Sequence, residues 1–357
     1  MGFCRVKFFF MIFFSSFVFL LCAKAQTADS IAAAGDEAEK LYNEGTAKVD
    51  ARDYKDALRL FGEAIRLKPD FDKAYYNRGS VLSEMKDPQG AIRDFSQAIA
   101  LNPTPNALVA KAYFGRGLAR QSLSDRQGAA GDYSKAIGAD PSFAQSYYYR
   151  GEIKFEAGDY KDAIEDFTNA IKNKPDYAYA YNDRGSAKKL LEDYQGAVAD
   201  YNKAILLEPK LAFVYNNLGS AKKKTGDLKG ALTAYSMAIQ LKPVYYIACN
   251  NRGSLRFEMN DYSGAVADFT DALKINPNYS YAYNNRGAAK FKMEDYKGAV
   301  ADLNEAIRLD AQYSYAYLNR GIAKEMERDN DRACSDWKKA KSSGLSHAAS
   351  YLRDCEK

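Results

Sequence analysis

Seven arginines in this chain of 357 residues each have an aspartate sixteen residues downstream. They are Arg78 with Asp94, Arg116 with Asp132, Arg150 with Asp166, Arg184 with Asp200, Arg252 with Asp268, Arg286 with Asp302 and Arg320 with Asp336. At two other copies of this register both partners change together, to Glu44 with Leu60 and to Leu218 with Ala234. Charges that come and go as a pair imply contact between the segments carrying them. A planar guanidinium fork suits a carboxylate bidentately. The chemistry is that of a half-buried structural ion pair, which specifies packing more than it adds stability.

Catalytic chemistry lacks its residues. The one histidine is His347. No Cys–His pair, no metal-ligand cluster and no phosphate-binding glycine loop stands in the sequence. We therefore expect no catalytic residues, no metal and no cofactor. Cys334 and Cys355 lie almost symmetrically about Gly344 and would come level in an antiparallel helical hairpin. An exported protein can keep a disulfide there; two separate thiols are the other reading. Cys249 reads as a packed single thiol.

The elements that position these groups repeat. Gly stands at 45, 79, 117, 151, 185, 219, 253, 287 and 321, every interval being 34 except one of 38. Eight residues after each Gly comes an Asp, from Asp53 to Asp329, and twelve after it an Ala, from Ala57 to Ala333. Four later comes Phe61, Phe95, Tyr133, Phe167, Tyr201, Tyr235, Phe269, Leu303 or Trp337. Gly and Ala let two helices approach, the bulky column fills the groove between them, and Asp caps the second helix. Pro69 to Pro277 close the first seven copies, because Pro cannot continue a helix. Such periods mark stacked supersecondary units.

The unit is helix–turn–helix, nine times over residues 38–343: 38–71, 72–105, 110–143, 144–177, 178–211, 212–245, 246–279, 280–313 and 314–343. The long interval adds Thr104-Pro105-Asn106-Ala107, which predicts a first helix lengthened by a turn, with Thr104 as cap and Pro105 at its first position. Gly128, Gly131 and Gly138 make the second helix of that copy the soft point. Residues 344–357 read as a closing helix.

Residues 1–25 read as a secretory signal: Arg5 and Lys7, an apolar run from Phe8 to Ala23, then Ala23-Lys24-Ala25. Residues 26–37 form a lead-in. The expected location is periplasmic or secreted, with a bacterial envelope favoured. A membrane contact is expected only if the signal stays uncleaved. Its removal takes Arg5, Lys7 and Lys24, and no acid, lowering the net charge from +5 to +2. That balance gives no reason to expect nucleic acid as a partner.

Period, Gly, Ala, aromatic and Pro columns together resemble the tetratricopeptide repeat. The resemblance implies an all-α, right-handed αα-solenoid whose first helices line a concave groove that receives a peptide or a partner's helix. The family usually has Leu where the seven arginines stand. Four residues on, its Tyr position is mostly basic here, as at Lys188, Lys222, Arg256 and Lys290, whose tips should snorkel outward.

By family geometry the residue two before each Gly faces the groove. It is Asn43, Asn77, Asn217, Asn251, Asn285 or Asn319, with Asp183 in the fifth copy and Gly115 and Tyr149 interrupting. With Asn216, Asn250 and Asn284 beside them, these amides could grip an extended peptide backbone, similar to the asparagine ladder of O-linked N-acetylglucosamine transferases. Asn is also common at this position in the family, so family background is the competing reading. Tyr179, Tyr281 and Tyr315 fall at another groove-facing position, whereas Tyr75, Tyr113, Tyr147, Tyr181, Tyr215, Tyr283 and Tyr317 fill the core aromatic column. The carboxylate clamp for chaperone tails needs Lys where this chain has Tyr42, Tyr76, Phe114, Tyr148, Asn182, Asn216, Asn250, Asn284 and Leu318, so it is not expected. The reading is a non-catalytic scaffold that binds extended segments of other proteins; groove tyrosines stacking on a glycan or cell-wall ligand are the alternative.

Overall fold

The computed structural model describes residues 32–355. The expected signal (1–25) and residues 26–31 of the lead-in lie outside the described residues. The described residues form eighteen α-helices and one closing 3-10 helix, with no strand. None of these helices is long and apolar enough to cross a membrane.

Two compact units meet in sequence at Pro175 and Asp176. The first pairs α1 (32–50) with α2 (Tyr54–Leu67), α3 (Asp72–Glu84) with α4 (Pro88–Leu101), α5 (Ala107–Ser122) with α6 (Arg126–Ala139), and α7 (Ala144–Ala157) with α8 (Tyr160–Asn173). The second pairs α9 (Ala178–Leu190) with α10 (Tyr194–Leu207), α11 (Ala212–Lys224) with α12 (Leu228–Leu241), and α13 (Tyr246–Glu258) with α14 (Tyr262–Ile275). It continues with α15 (Ser280–Lys292) and α16 (Tyr296–Leu309), then α17 (Ser314–Met326) and α18 (Asn330–Ser342).

Close approach explains the Gly and Ala columns. All nine Ala of the second helices, Ala57 to Ala333, are fully buried. A Cβ at Gly253 would stand 2.8 Å from the Phe269 ring, and one at Gly117 2.6 Å from Tyr133. The ring fills the space a larger residue would need.

The turn between paired helices uses a device that residue types conceal. The residue before the Asp that precedes each second helix is left-handed in all nine repeats: Arg52, Lys86, Ser124, Gly158, Glu192, Gly226, Asn260, Glu294 and Arg328, with φ from 58° to 88°. Only two are Gly, so the fold holds long side chains in a conformation costing roughly 1–2 kcal/mol each.

Capping departs from expectation at two repeats. The Asp side chain accepts from the backbone N–H three residues on at Asp53, Asp87, Asp125, Asp193, Asp227, Asp261 and Asp295, but not at Asp159 or Asp329. Six of the seven capping bonds end on a Gly amide, from Gly90 to Gly298. A Cβ on that Gly would collide with the capping carboxylate. The seventh, on the Asp56 amide, is stretched to 3.4 Å, and Asp162 and Arg332 take the place where no bond forms. Gly128 thus serves a cap, and α6 runs unbroken through Gly131 and Gly138.

The insertion also differs. Thr104 is not the cap and Pro105 is not helical; Asn106 caps α5, accepting from the Leu108 and Val109 amides at 2.9 and 3.0 Å. Asn102 accepts from Thr104 and Asn106 and holds the segment as a polar knot outside the helix. α5 still has 16 residues against 13 in α3.

The closing segment, expected as an ordinary helix, is 3-10 over Ser346–Asp354. Its apolar residues are spaced by three: Leu345 and Ala348 are buried and Tyr351 packs beside them. Side chains three apart align on a 3-10 helix. Gly344, at φ 94°, makes the turn into it, and Cys334 and Cys355 are joined by a disulfide across it, with Cα atoms 5.7 Å apart.

Candidate functional site

Three layers of polar and aromatic side chains occupy the first helices, and they have different tasks. The arginines serve packing. Arg286 donates to both oxygens of Asp302 at 2.8 and 2.6 Å, and the same bidentate bond recurs at Arg78–Asp94, Arg116–Asp132, Arg150–Asp166, Arg184–Asp200 and Arg320–Asp336. Arg252 binds Asp268 through Nε and Nη2. The spare Nη1 donates to a second helix of the preceding repeat: from Arg252 to Ser236, Arg286 to Thr270 and Arg320 to Asn304. Six of the seven guanidinium groups also stack on a core tyrosine, Arg286 lying 5.5 Å from the centre of Tyr283, while Arg252 has Cys249 in that column. One side chain thereby ties helix to helix and repeat to repeat.

The basic residues expected to snorkel turn inward instead. Lys188 reaches Asp200 at 2.8 Å, Arg256 reaches Asp268 at 2.9 Å and Lys290 reaches Asp302 at 2.9 Å. Arg120, Lys154 and Lys324 do the same to Asp132, Asp166 and Asp336. The cause is a carboxylate almost wholly withdrawn from water, with free lone pairs left by the arginine. Where Asp is missing the lysine goes elsewhere: Lys222, opposite Ala234, pairs with Asp227 at 3.0 Å.

The asparagines form a ladder between repeats. Asn217 Nδ2 donates to Asn182 Oδ1 at 3.1 Å, Asn251 to Asn216 at 2.9 Å, Asn285 to Asn250 at 3.1 Å and Asn319 to Asn284 at 2.9 Å. Asn216, Asn250 and Asn284 are buried, so these three candidate groove residues are rungs and do not face a ligand. Asn284 also donates to Asn285 Oδ1, and Asn182 to Asp183. The outer amides Asn217, Asn251, Asn285 and Asn319 stay half-exposed. In the first unit, Asn77 donates to the Tyr42 hydroxyl at 3.0 Å and Asn43 is exposed.

The third layer faces water. Tyr179, Tyr281 and Tyr315 are 42%, 53% and 52% exposed. Their column continues through Phe213 and through Ile247, which is 37% exposed. Every repeat of the second unit therefore carries a large apolar side chain there, whereas the first unit has Glu39, Lys73, Lys111 and Gln145. Phe213 and Ile247 were legible in the 34-residue column, had it been followed beyond the tyrosines. Rings lean on one another along the stripe: Tyr179 on Phe213 at 6.0 Å, Tyr281 on Tyr279 and Tyr313 at 5.7 and 5.1 Å, Tyr315 on His347 at 6.3 Å. Burial pushes the phenols of Tyr279 and Tyr313 above the usual tyrosine range near 10. At neutral pH these two rings are uncharged. Exposed apolar side chains gathered in one column of successive first helices mark an interaction surface.

Among the described residues no group of three His, Cys, Asp or Glu could hold a metal ion. Cys249 is a buried free thiol, and burial pushes its pKa up, which keeps it protonated and unreactive.

Tetratricopeptide-repeat family models match residues 72–105, 114–212, 214–245 and 253–313. No curated protein matches significantly. Among solved structures, the C-terminal part of a TPR repeat-containing protein from Cytophaga hutchinsonii is similar with a TM-score of 0.55 at 16% identity, over 68% of this chain and 98% of that one. A tetratricopeptide repeat protein from Parabacteroides merdae gives 0.52 at 18% identity, over 73% and 98%. The APC/C hetero-tetramer Cut9–Hcn1 gives 0.54 at 12% identity, over 90% and 96%. At these identities the likeness concerns the fold alone, an all-α solenoid of helix–turn–helix repeats. Period, core columns, helix pairing and family match agree, and the chain belongs to the tetratricopeptide-repeat family.

Proposed function

We propose that this chain is a non-catalytic scaffold that binds an extended segment of another protein along the first helices of its second unit, outside the cytoplasm. The observation that carries the reading is the stripe of exposed Tyr179, Ile247, Tyr281 and Tyr315, with half-buried Phe213 in the same column, beside the ordered outer amides. Aromatic side chains with a polar tip are favoured anchors at protein interfaces. The ladder fixes each amide before a ligand arrives, so little side-chain entropy remains to be lost on binding. Export is supported by the N-terminal sequence pattern and fits an oxidised Cys334–Cys355 pair. A sugar ring stacks on a free aromatic face, and here Tyr281 is flanked by tilted neighbours; the peptide reading is therefore preferred to the glycan one.

Crosslinked pull-down from the extracytoplasmic fraction tests it, comparing the wild type with a Tyr179→Ser, Tyr281→Ser, Tyr315→Ser variant. These rings are exposed enough to be removed without breaking the ladder, unlike Asn217, Asn251 and Asn285. A protein partner held by the wild type and lost by the folded variant is expected. A partner retained by both places binding elsewhere. Recovery of wall fragments alone would install the glycan reading.

A further inference from the structure

The third repeat breaks the asparagine column with Gly115, which lines a cavity of about 500 Å³ in the first unit. A Cβ on Gly115 would lie 2.7 Å from the Phe95 ring, so the ring edge occupies the place of the missing amide. Tyr76 and Phe114 form walls from α3 and α5. A second substitution makes the same place more apolar. Leu118, 36% exposed, lines the cavity in a column that is polar in six of the other eight repeats, as Thr46, Ser80, Glu152, Ser186, Ser220 and Ser254, and apolar at Ala288 and Ile322. Two neighbouring columns, polar in most other repeats, are thus both apolar or empty in the third. The rim carries Lys86 and Lys111, both exposed and neither in an ion pair among the described residues, against one carboxylate, Glu84.

We infer that this cavity is an anchor pocket for one large apolar side chain of an extended protein segment that has an Asp or Glu beside it. Cavities of this size lined mainly by apolar groups with a few polar ones bind such groups. A buried anchor with a charge at its rim is the pattern of an interface hot spot. The rim's excess positive charge selects the acidic neighbour. The inference deepens the peptide-binding reading but rests on a different unit, so either can fail alone.

Binding is read by fluorescence anisotropy on the full chain with three labelled peptides: Gly-Ser-Asp-Phe-Ser-Gly, Gly-Ser-Lys-Phe-Ser-Gly and Gly-Ser-Asp-Ser-Ser-Gly. The first should bind most tightly. Leu118→Ser and, separately, Lys86→Glu with Lys111→Glu should each weaken it by about tenfold. Leu118→Ser places in this column the residue that four of its eight siblings carry, so it should fold, as circular dichroism would check. Tyr281→Ser should leave this peptide's binding unchanged. Equal binding of all three peptides, or no loss in either variant, overturns the pocket and leaves the stripe of the second unit standing. Displacement of the peptide by octanoate at equal concentration would overturn the protein-segment assignment in favour of a free aliphatic acid.

Discussion

Asp302→Ala should lower unfolding stability by about 3 kcal/mol, more than loss of either cation that faces it. The Asp302 side chain is 7% exposed, and both Arg286 and Lys290 converge on it. Removing the carboxylate leaves two partly desolvated cations side by side without a counter-charge. Arg286→Leu is milder, because Lys290 still satisfies Asp302 at 2.9 Å and Leu is the residue the family prefers at that place. Arg286→Leu combined with Asp302→Ala should recover part of the loss, since only Lys290 then lacks a partner and its tip can reach water. Urea denaturation of the four proteins measures the cycle. A loss in the double variant equal to the sum of the two single losses would mean that Arg286 and Asp302 are not coupled.

Reduction of Cys334–Cys355 should be the other large effect. The bridge spans 21 residues, and a loop of that order corresponds to about 3 kcal/mol in the chain-entropy account. It pins the terminal 3-10 segment over Leu318, Ala333 and Trp337, the apolar end that a solenoid must cap. The readout is built in. Trp337 is the only tryptophan, 3% exposed, with the Tyr351 ring 5.2 Å away. Dithiothreitol, or Cys355→Ser, should red-shift its emission and speed amide exchange in α17 and α18, with little change in α9 to α12. Unchanged emission and exchange would show that the cap holds without the bridge.

The fold lay open in the sequence wherever geometry demands one residue type. Gly253 must be small because Phe269 fills its space, and that column repeats nine times. The left-handed turn residue was hidden for the opposite reason. Its side chain is exposed and meets no packing demand, so Arg52, Ser124 and Glu192 are tolerated there beside Gly158 despite the backbone strain. Pairing of Arg with Asp was legible because the two vary together. The third member, Lys or Arg four residues on, was misplaced because basic tips ordinarily seek water; only a nearly dry carboxylate reverses that. The asparagines were legible as a column but not as a ladder. Which amide bonds across repeats depends on one residue of helical phase, which places Asn250 in the interface and Asn251 half outside it.

Photocrosslinking tests the central claim most directly. A benzophenone amino acid replaces Tyr281 on the stripe or, as control, Asp271 on the exposed face of α14. Illumination in intact source cells should link one partner protein through position 281 and none through position 271. Equal labelling from both positions, or labelling from 271 alone, would contradict binding along the first helices.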